Sequence, residues 1–206
     1  MYLVGWADGV FEARLAVASL PATSAVASGD GGVTIASEFG LVRTYDSEGR
    51  WVGETTVPLR QPVVAAGSDG LVAFSGIGGL AILDPLEEGS SVLIEGLGTV
   101  VGMTFVDGGR HLVTVESDGT VQLWDAVTGA SIGMLVDGGG STPSSTPWFD
   151  SDLGTVWVAS AGRLLEISLD PARWIEKACE FVARDLTQDE WDRYVPGDLP
   201  LRSTCP

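Results

Sequence analysis

The chain has 206 residues, 45% hydrophobic and only 19% charged, with 28 glycines and 10 prolines. Its 28 acidic side chains against 11 basic ones give a formal charge of -17, which repels polyanions and excludes nucleic acid and anionic lipid as expected partners. No apolar run approaches a membrane span, and residues 1–20 carry Asp8, Glu12 and Arg14 where a signal peptide would be apolar, so the expected compartment is the cytoplasm.

Many glycines and few charges suit an all-β chain with frequent turns. Short β-type runs break at a glycine and resume, at Gly9, Gly40, Gly78, Gly119 and Gly162. A spacing of about 40 residues, with two alternating strands around each glycine turn, predicts propeller blades. Tyr2 to Trp6 and Val10 to Leu15 read as the second and third strands of a blade whose first strand is missing. Thr23 to Ser28, Val33 to Ser37, Leu41 to Tyr45 and Trp51 to Val57 predict a full blade. Pro62 to Ala66, Leu71 to Ser75, Leu80 to Leu83 and Ser91 to Glu95 predict the next. In the third, Val100 to Val106 turns at Asp107-Gly108-Gly109-Arg110, returns as His111 to Glu116, turns again at Asp118-Gly119, and continues as Thr120 to Trp124 and Ala130 to Val136.

The Gly/Ser/Thr/Pro stretch 138–147 reads as a long surface loop, since strand patterning resumes after it. Pro147 to Phe149, Thr155 to Ser160 and Arg163 to Ser168 supply only three strands of a last blade. The expected architecture is therefore a partial propeller of about four blades over residues 1–169, the carboxyl-terminal part of a larger ring. A small closed ring is the alternative.

From Asp170 the period changes. Asp170 is a predicted helix N-cap with Pro171 at the first helical position. Trp174, Ala178, Phe181 and Val182 share one helical face. Thr187-Gln-Asp-Glu190 predicts a capping box opening a second short helix through Trp191 and Tyr194. Residues 170–206 thus read as a helical cap, structured by Trp174, Trp191 and Tyr194, whose aromatic face should lie on the last blade.

Asp118-Gly119-Thr-Val-Gln-Leu-Trp124-Asp125, followed by Thr128-Gly129, resembles the WD-repeat consensus. The family's Gly-His dipeptide is replaced by Gly96-Leu97, so the resemblance implies that the usual Asp–His network is lost and that packing substitutes. The tail pattern (Leu169-Asp-Pro-x-x-Trp174, Ala178-Cys179, Arg184-x-Leu-Thr187, Glu190-Trp191, Tyr194, Pro196-Gly197 and Arg202-x-Thr-Cys-Pro206) resembles the carboxyl-terminal extension of large actinobacterial WD-repeat regulators. In those proteins the propeller follows a module such as a STAND-type NTPase, often with a bacterial transcriptional-activation domain ahead of it. The resemblance implies that any catalytic or DNA-binding part of such a parent lies outside this chain.

Candidate chemistry is sparse. His111 begins a strand and lacks convergent partners for acid–base work. Two distant cysteines and one histidine fit no usual zinc spacing, and no metal or cofactor is expected. Asp107-Gly-Gly and Asp118-Gly119 lack the calcium-loop pattern, and the glycine runs 76–79 and 138–140 lack a following lysine and helix. Cys179 and Cys205 approach one another if the terminus folds back, but in a reducing compartment free thiols are the expected state. Trp51 and Trp148, at blade turns, are the candidate protein-contact anchors. Asp118, Gly119, Trp124 and Asp125 carry the repeat structure. The expectation is a non-enzymatic interaction or sensing module with a protein partner, or with missing blades of its own parent. Two alternatives stay open: a quinoprotein-like or lactonase-like enzyme propeller, since Leu123 to Gly129 is similar to a quinoprotein tryptophan-docking motif, and a truncated gene product without independent function.

Overall fold

The computed structural model describes residues 2–7, 10–16, 22–27, 31–67, 70–77, 79–84, 91–95, 97–138, 147–150, 154–160, 163–195, 199–203 and 205. A hairpin of β1 (Tyr2–Ala7) and β2 (Val10–Ala16) comes first. The first four-stranded sheet follows as β3 (Ala22–Ala27), β4 (Val33–Ser37), β5 (Leu41–Tyr45) and β6 (Trp51–Thr56). The second is β7 (Arg60–Ala66), β8 (Val72–Ile77), β9 (Gly79–Leu83) and β10 (Val92–Ile94). The third is β11 (Val100–Val106), β12 (His111–Glu116), β13 (Val121–Asp125) and β14 (Ser131–Val136). The last has only β15 (Trp148–Asp150), β16 (Thr155–Ser160) and β17 (Arg163–Ser168), and two helices follow, α1 (Pro171–Val182) and α2 (Gln188–Tyr194). Each strand lies within two residues of its expected bounds, because period-2 alternation between glycine turns leaves little freedom in register.

Every sheet is an antiparallel meander in which sequence neighbours pair. The first strands β3, β7, β11 and β15 run side by side, so the sheets fan outward from a common centre. Alternation along each strand sends side chains to two opposite neighbours. In the second sheet, Val72 and Phe74 pack toward Ala36, Val42, Val57 and Leu59 of the sheet before. Ala73, Leu80 and Ile82 pack toward Met103, Phe105, Leu112 and Trp124 of the sheet after. A third cluster joins Val113, Val115, Val121 and Leu123 to Val156 and Val158. The core is thus a series of layers between sheets, and each sheet is stable only with its neighbours.

The turns carry the glycine signal. Gly40 has φ +81, and a Cβ there would meet the Val57 and Leu59 carbonyl oxygens at 2.2 and 2.6 Å. Its N–H donates to the Ser37 carbonyl, and its own carbonyl accepts from Val57 N at 2.9 Å. Gly119 likewise takes φ 92. At the β8–β9 turn of the second sheet Gly79 takes φ 134. Gly9, Gly78 and Gly162 lie outside the described residues, as do Gly96 and Pro196-Gly197.

Two expectations about the tail are corrected. Cys179 and Cys205 are not free thiols: they form a disulfide, with Cα atoms 5.5 Å apart. Nor does the aromatic face of α1 cover the last sheet. Asp170 caps the helix through Ala172 N at 2.9 Å, and Trp174 Nε1 donates to the Ser168 carbonyl at 2.6 Å, but α1 buries none of its residues and Phe181 is 93% exposed. The disulfide and the Asp185 contacts draw the far half of α1 toward α2 and the terminal segment, and away from β17.

Candidate functional site

The third sheet shows what the repeat residues do. Trp124 is buried between sheets, and its Nε1 donates to the Thr114 hydroxyl at 2.9 Å. Asp125 Oδ1 accepts from Val127 N, Thr128 N and the Thr128 hydroxyl at 3.0, 2.7 and 2.9 Å. The Thr128 backbone N–H first, and its hydroxyl second, hold the Asp125 carboxyl below the ordinary aspartate range. The Thr120 backbone N–H does the same for Asp118, which closes the turn before Gly119. The Thr128-Gly129 turn then lies against Val92 and Ile94 of the preceding sheet. The motif similar to a tryptophan-docking sequence therefore docks one sheet on the next.

A buried carboxylate fastens the entry to the third sheet. Glu116, at the end of β12 and 8% exposed, accepts from Gly98 N at 2.9 Å. A Cβ on Gly98 would meet Glu116 Oε2 at 2.2 Å, so glycine is what admits the carboxylate to the backbone. Ser117 N donates to the Thr99 carbonyl at 2.7 Å beside it. The pair ties the approach to β11 to the end of β12. Nothing in the sequence marked Glu116 except its position at a strand end beside a turn.

The Asp107 turn brings His111 Nδ1 to 3.4 Å from Asp107 Oδ2, and Asp107 itself takes φ 52. Among the described residues, no three His, Cys, Asp or Glu side chains gather as a metal site.

The contact candidates fall on different sheets. Trp51 opens β6, the outer strand of the first four-stranded sheet, and is 64% exposed. Trp148 opens β15 in the last sheet and is 62% exposed. Trp148 stands directly opposite Trp157, Leu164 opposite Ala159, and Glu166 opposite Trp157. All lie on the face of the last sheet turned away from the Val156–Val158 core. In the three preceding sheets the equivalent face is covered by the next sheet. Here, among the described residues, the sheets do not close, and the face leaves Trp148 and Leu164 exposed with Trp157 and Ala159 half-buried between them. Trp157 and Leu164 escaped the sequence reading, although a strand apolar on both faces, Val156 and Val158 on one and Trp157 and Ala159 on the other, is the mark of a strand stacked on two sides.

Of the tail aromatics, Trp191 is 4% exposed and donates from Nε1 to the Leu199 carbonyl at 2.8 Å. Trp174 is 38% and Tyr194 68% exposed.

Radial sheets, a Trp-Asp strand end and a capped Asp-Gly turn define a WD-repeat-like β-propeller, built as an unclosed arc. The chain is similar to the β-propeller domain of Cps50 (Swd1) from Myceliophteria thermophila, with a TM-score of 0.63 and 13% identity over 77% of this chain and 56% of that one. It is also similar to the computationally designed Ika4 protein, with a TM-score of 0.58 and 17% identity over 73% of this chain and 92% of that one. For the computationally designed Ika8 protein the TM-score is 0.56 and the identity 17%, over 72% of this chain and 46% of that one. The chain thus spans about half the length of the Cps50 domain and of Ika8, and the likeness is one of fold. No protein-family model and no curated protein matches the sequence.

Proposed function

We propose that this chain is a non-catalytic protein-interaction or sensing module, the carboxyl-terminal WD-repeat portion of a bacterial signalling or transcriptional regulator that works in the cytoplasm. The bare face of the last sheet carries this reading. Trp148, Trp157, Ala159 and Leu164 present there the kind of apolar surface that the three four-stranded sheets bury against a neighbour. An exposed patch of this kind marks an interface. Either further blades of a longer chain or a separate protein would cover it, and Trp51 offers a second anchor on the outer edge of the arc. The tail pattern, similar to that of large actinobacterial regulators, supports the first source.

An immunoblot of source cells with an antibody to residues 170–206 tests the reading. A band far above 21.4 kDa is expected. A single band at that mass would overturn membership in a larger regulator. Replacing Trp148 with alanine then tests the face itself, since unchanged association with the identified partner or parent segment would remove the anchor role. A thermal shift with calcium or a quinone would instead speak for an enzyme propeller.

A further inference from the structure

We propose that the Cys179–Cys205 disulfide makes the helical tail a thiol-switched latch. When oxidised, it holds the terminal segment as one wall of an apolar groove whose other wall is α1 and α2; when reduced, it releases the segment and bares that helical wall.

The tail packs on itself. Between them, α1 and α2 bury a single side chain, that of Trp191. Beside it lies a groove of about 530 Å³ lined by Ile175, Ala178, Val182, Leu186, Trp191 and Val195. Arg202, Ser203 and Cys205 of the terminal segment form its other wall. Leu199 accepts from Trp191 Nε1 at 2.8 Å, and the Ser203 hydroxyl and Cys205 N donate to the Asp185 carboxylate at 3.1 and 2.7 Å. The Asp185 bonds are exposed to water, which competes for both partners, so their net contribution is small. The covalent link from Cys205 to Cys179, 26 residues apart, is what keeps the segment down.

The helices themselves do not need the link. α1 has its Asp170 cap. α2 has the Thr187–Glu190 capping box, reinforced by a two-pronged Arg184–Glu190 ion pair with both contacts at 2.7 Å. Loss of the disulfide therefore frees the terminal segment and leaves the framework that lines the groove.

Both cysteines are partly exposed and within reach of an external dithiol. Its thiolate attacks one sulfur, forms a mixed disulfide and releases the other as a thiolate. Its second thiol then displaces the remaining cysteine, so the reductant ends as its own disulfide and the tail as two thiols, with two electrons and two protons transferred.

Amide hydrogen exchange on the whole chain, read peptide by peptide with and without dithiothreitol, tests the latch, with alkylation confirming that both thiols are released. Amides of the terminal peptide, the Cys205 N–H bonded to Asp185 among them, should exchange roughly tenfold faster or more after reduction, while those of α1, α2 and β11 to β14 stay unchanged. Unchanged tail exchange after full reduction overturns the proposal. So does a disulfide that dithiothreitol cannot reduce in the folded chain. Equal acceleration in β11 to β14 also overturns it, because the link would then brace the whole fold. Cys205→Ser should show the fast tail exchange already and respond no further to reductant; a further response would sink the idea.

Discussion

Trp124 and Thr114 show why a repeat signature is a packing device. The indole fills the layer between two sheets while its N–H satisfies a hydroxyl that is fully buried. Trp124→Phe keeps most of the volume but strands the Thr114 hydroxyl, at a cost of about 1–3 kcal/mol. Thr114→Val added to it removes the stranded group, so the double variant should melt above the sum of the two single losses, as a urea-denaturation double-mutant cycle will show. Gly98→Ala should cost a similar ~1–3 kcal/mol, because it pushes the Glu116 carboxylate off its backbone donor inside the sheet edge. Gly40→Ala combines a left-handed backbone with a clash against two carbonyl oxygens, and a loss of more than about 1 kcal/mol is expected. The Trp-Asp pair and the turn glycines were legible because their types are fixed by backbone conformation and strand position. The Glu116–Gly98 bond was not, since a glutamate at a strand end reads as an ordinary exposed charge until the two strands are brought together.

Among the elements, the tail differs most from its sequence reading. Its caps follow directly from local chemistry: Asp170 before Pro171, and Thr187 three residues before Glu190. Its docking does not, because an amphipathic helix declares which face is apolar and not what will cover it. A covalent closure of 26 residues stabilises the closed tail by about 3.5 kcal/mol through loss of loop entropy in the open state. Cys205→Ser should lower the tail's local opening free energy by about that amount in hydrogen exchange. The tail also carries a pH dependence. Glu190 has its carboxyl depressed from 4.5 to about 2, first by Arg184 and then by the Thr187 backbone N–H. A depressed carboxyl favours the closed state above its unfolded value and loses that contribution as pH falls through the folded one. Helical signal from α2 should therefore weaken between about pH 4.5 and 2, and Glu190→Gln should flatten that transition in circular dichroism.

At the scale of the molecule, the arc ends in a sheet with one covered face and one bare face. Exposure of Trp148 and Leu164 to water is unfavourable, and an apolar partner surface offered to that face relieves it. The isolated chain should self-associate with rising concentration in sedimentation velocity, and Leu164→Lys, which places a charge in the middle of that face, should shift it toward monomer without moving its melting temperature. Leu164 is already 63% exposed, so the substitution removes little folding stability.

The sequence by itself determined the strands, the turns between them, the helix caps and the repeat architecture, because each depends on side chains a few residues apart and on the period of their alternation. Only the tertiary structure decided which face of the last sheet stays open, which carboxylate binds the backbone ahead of β11, and that the two cysteines join. Those depend on distances between segments far apart in the chain, and residue spacing does not encode such distances until the sheets have stacked.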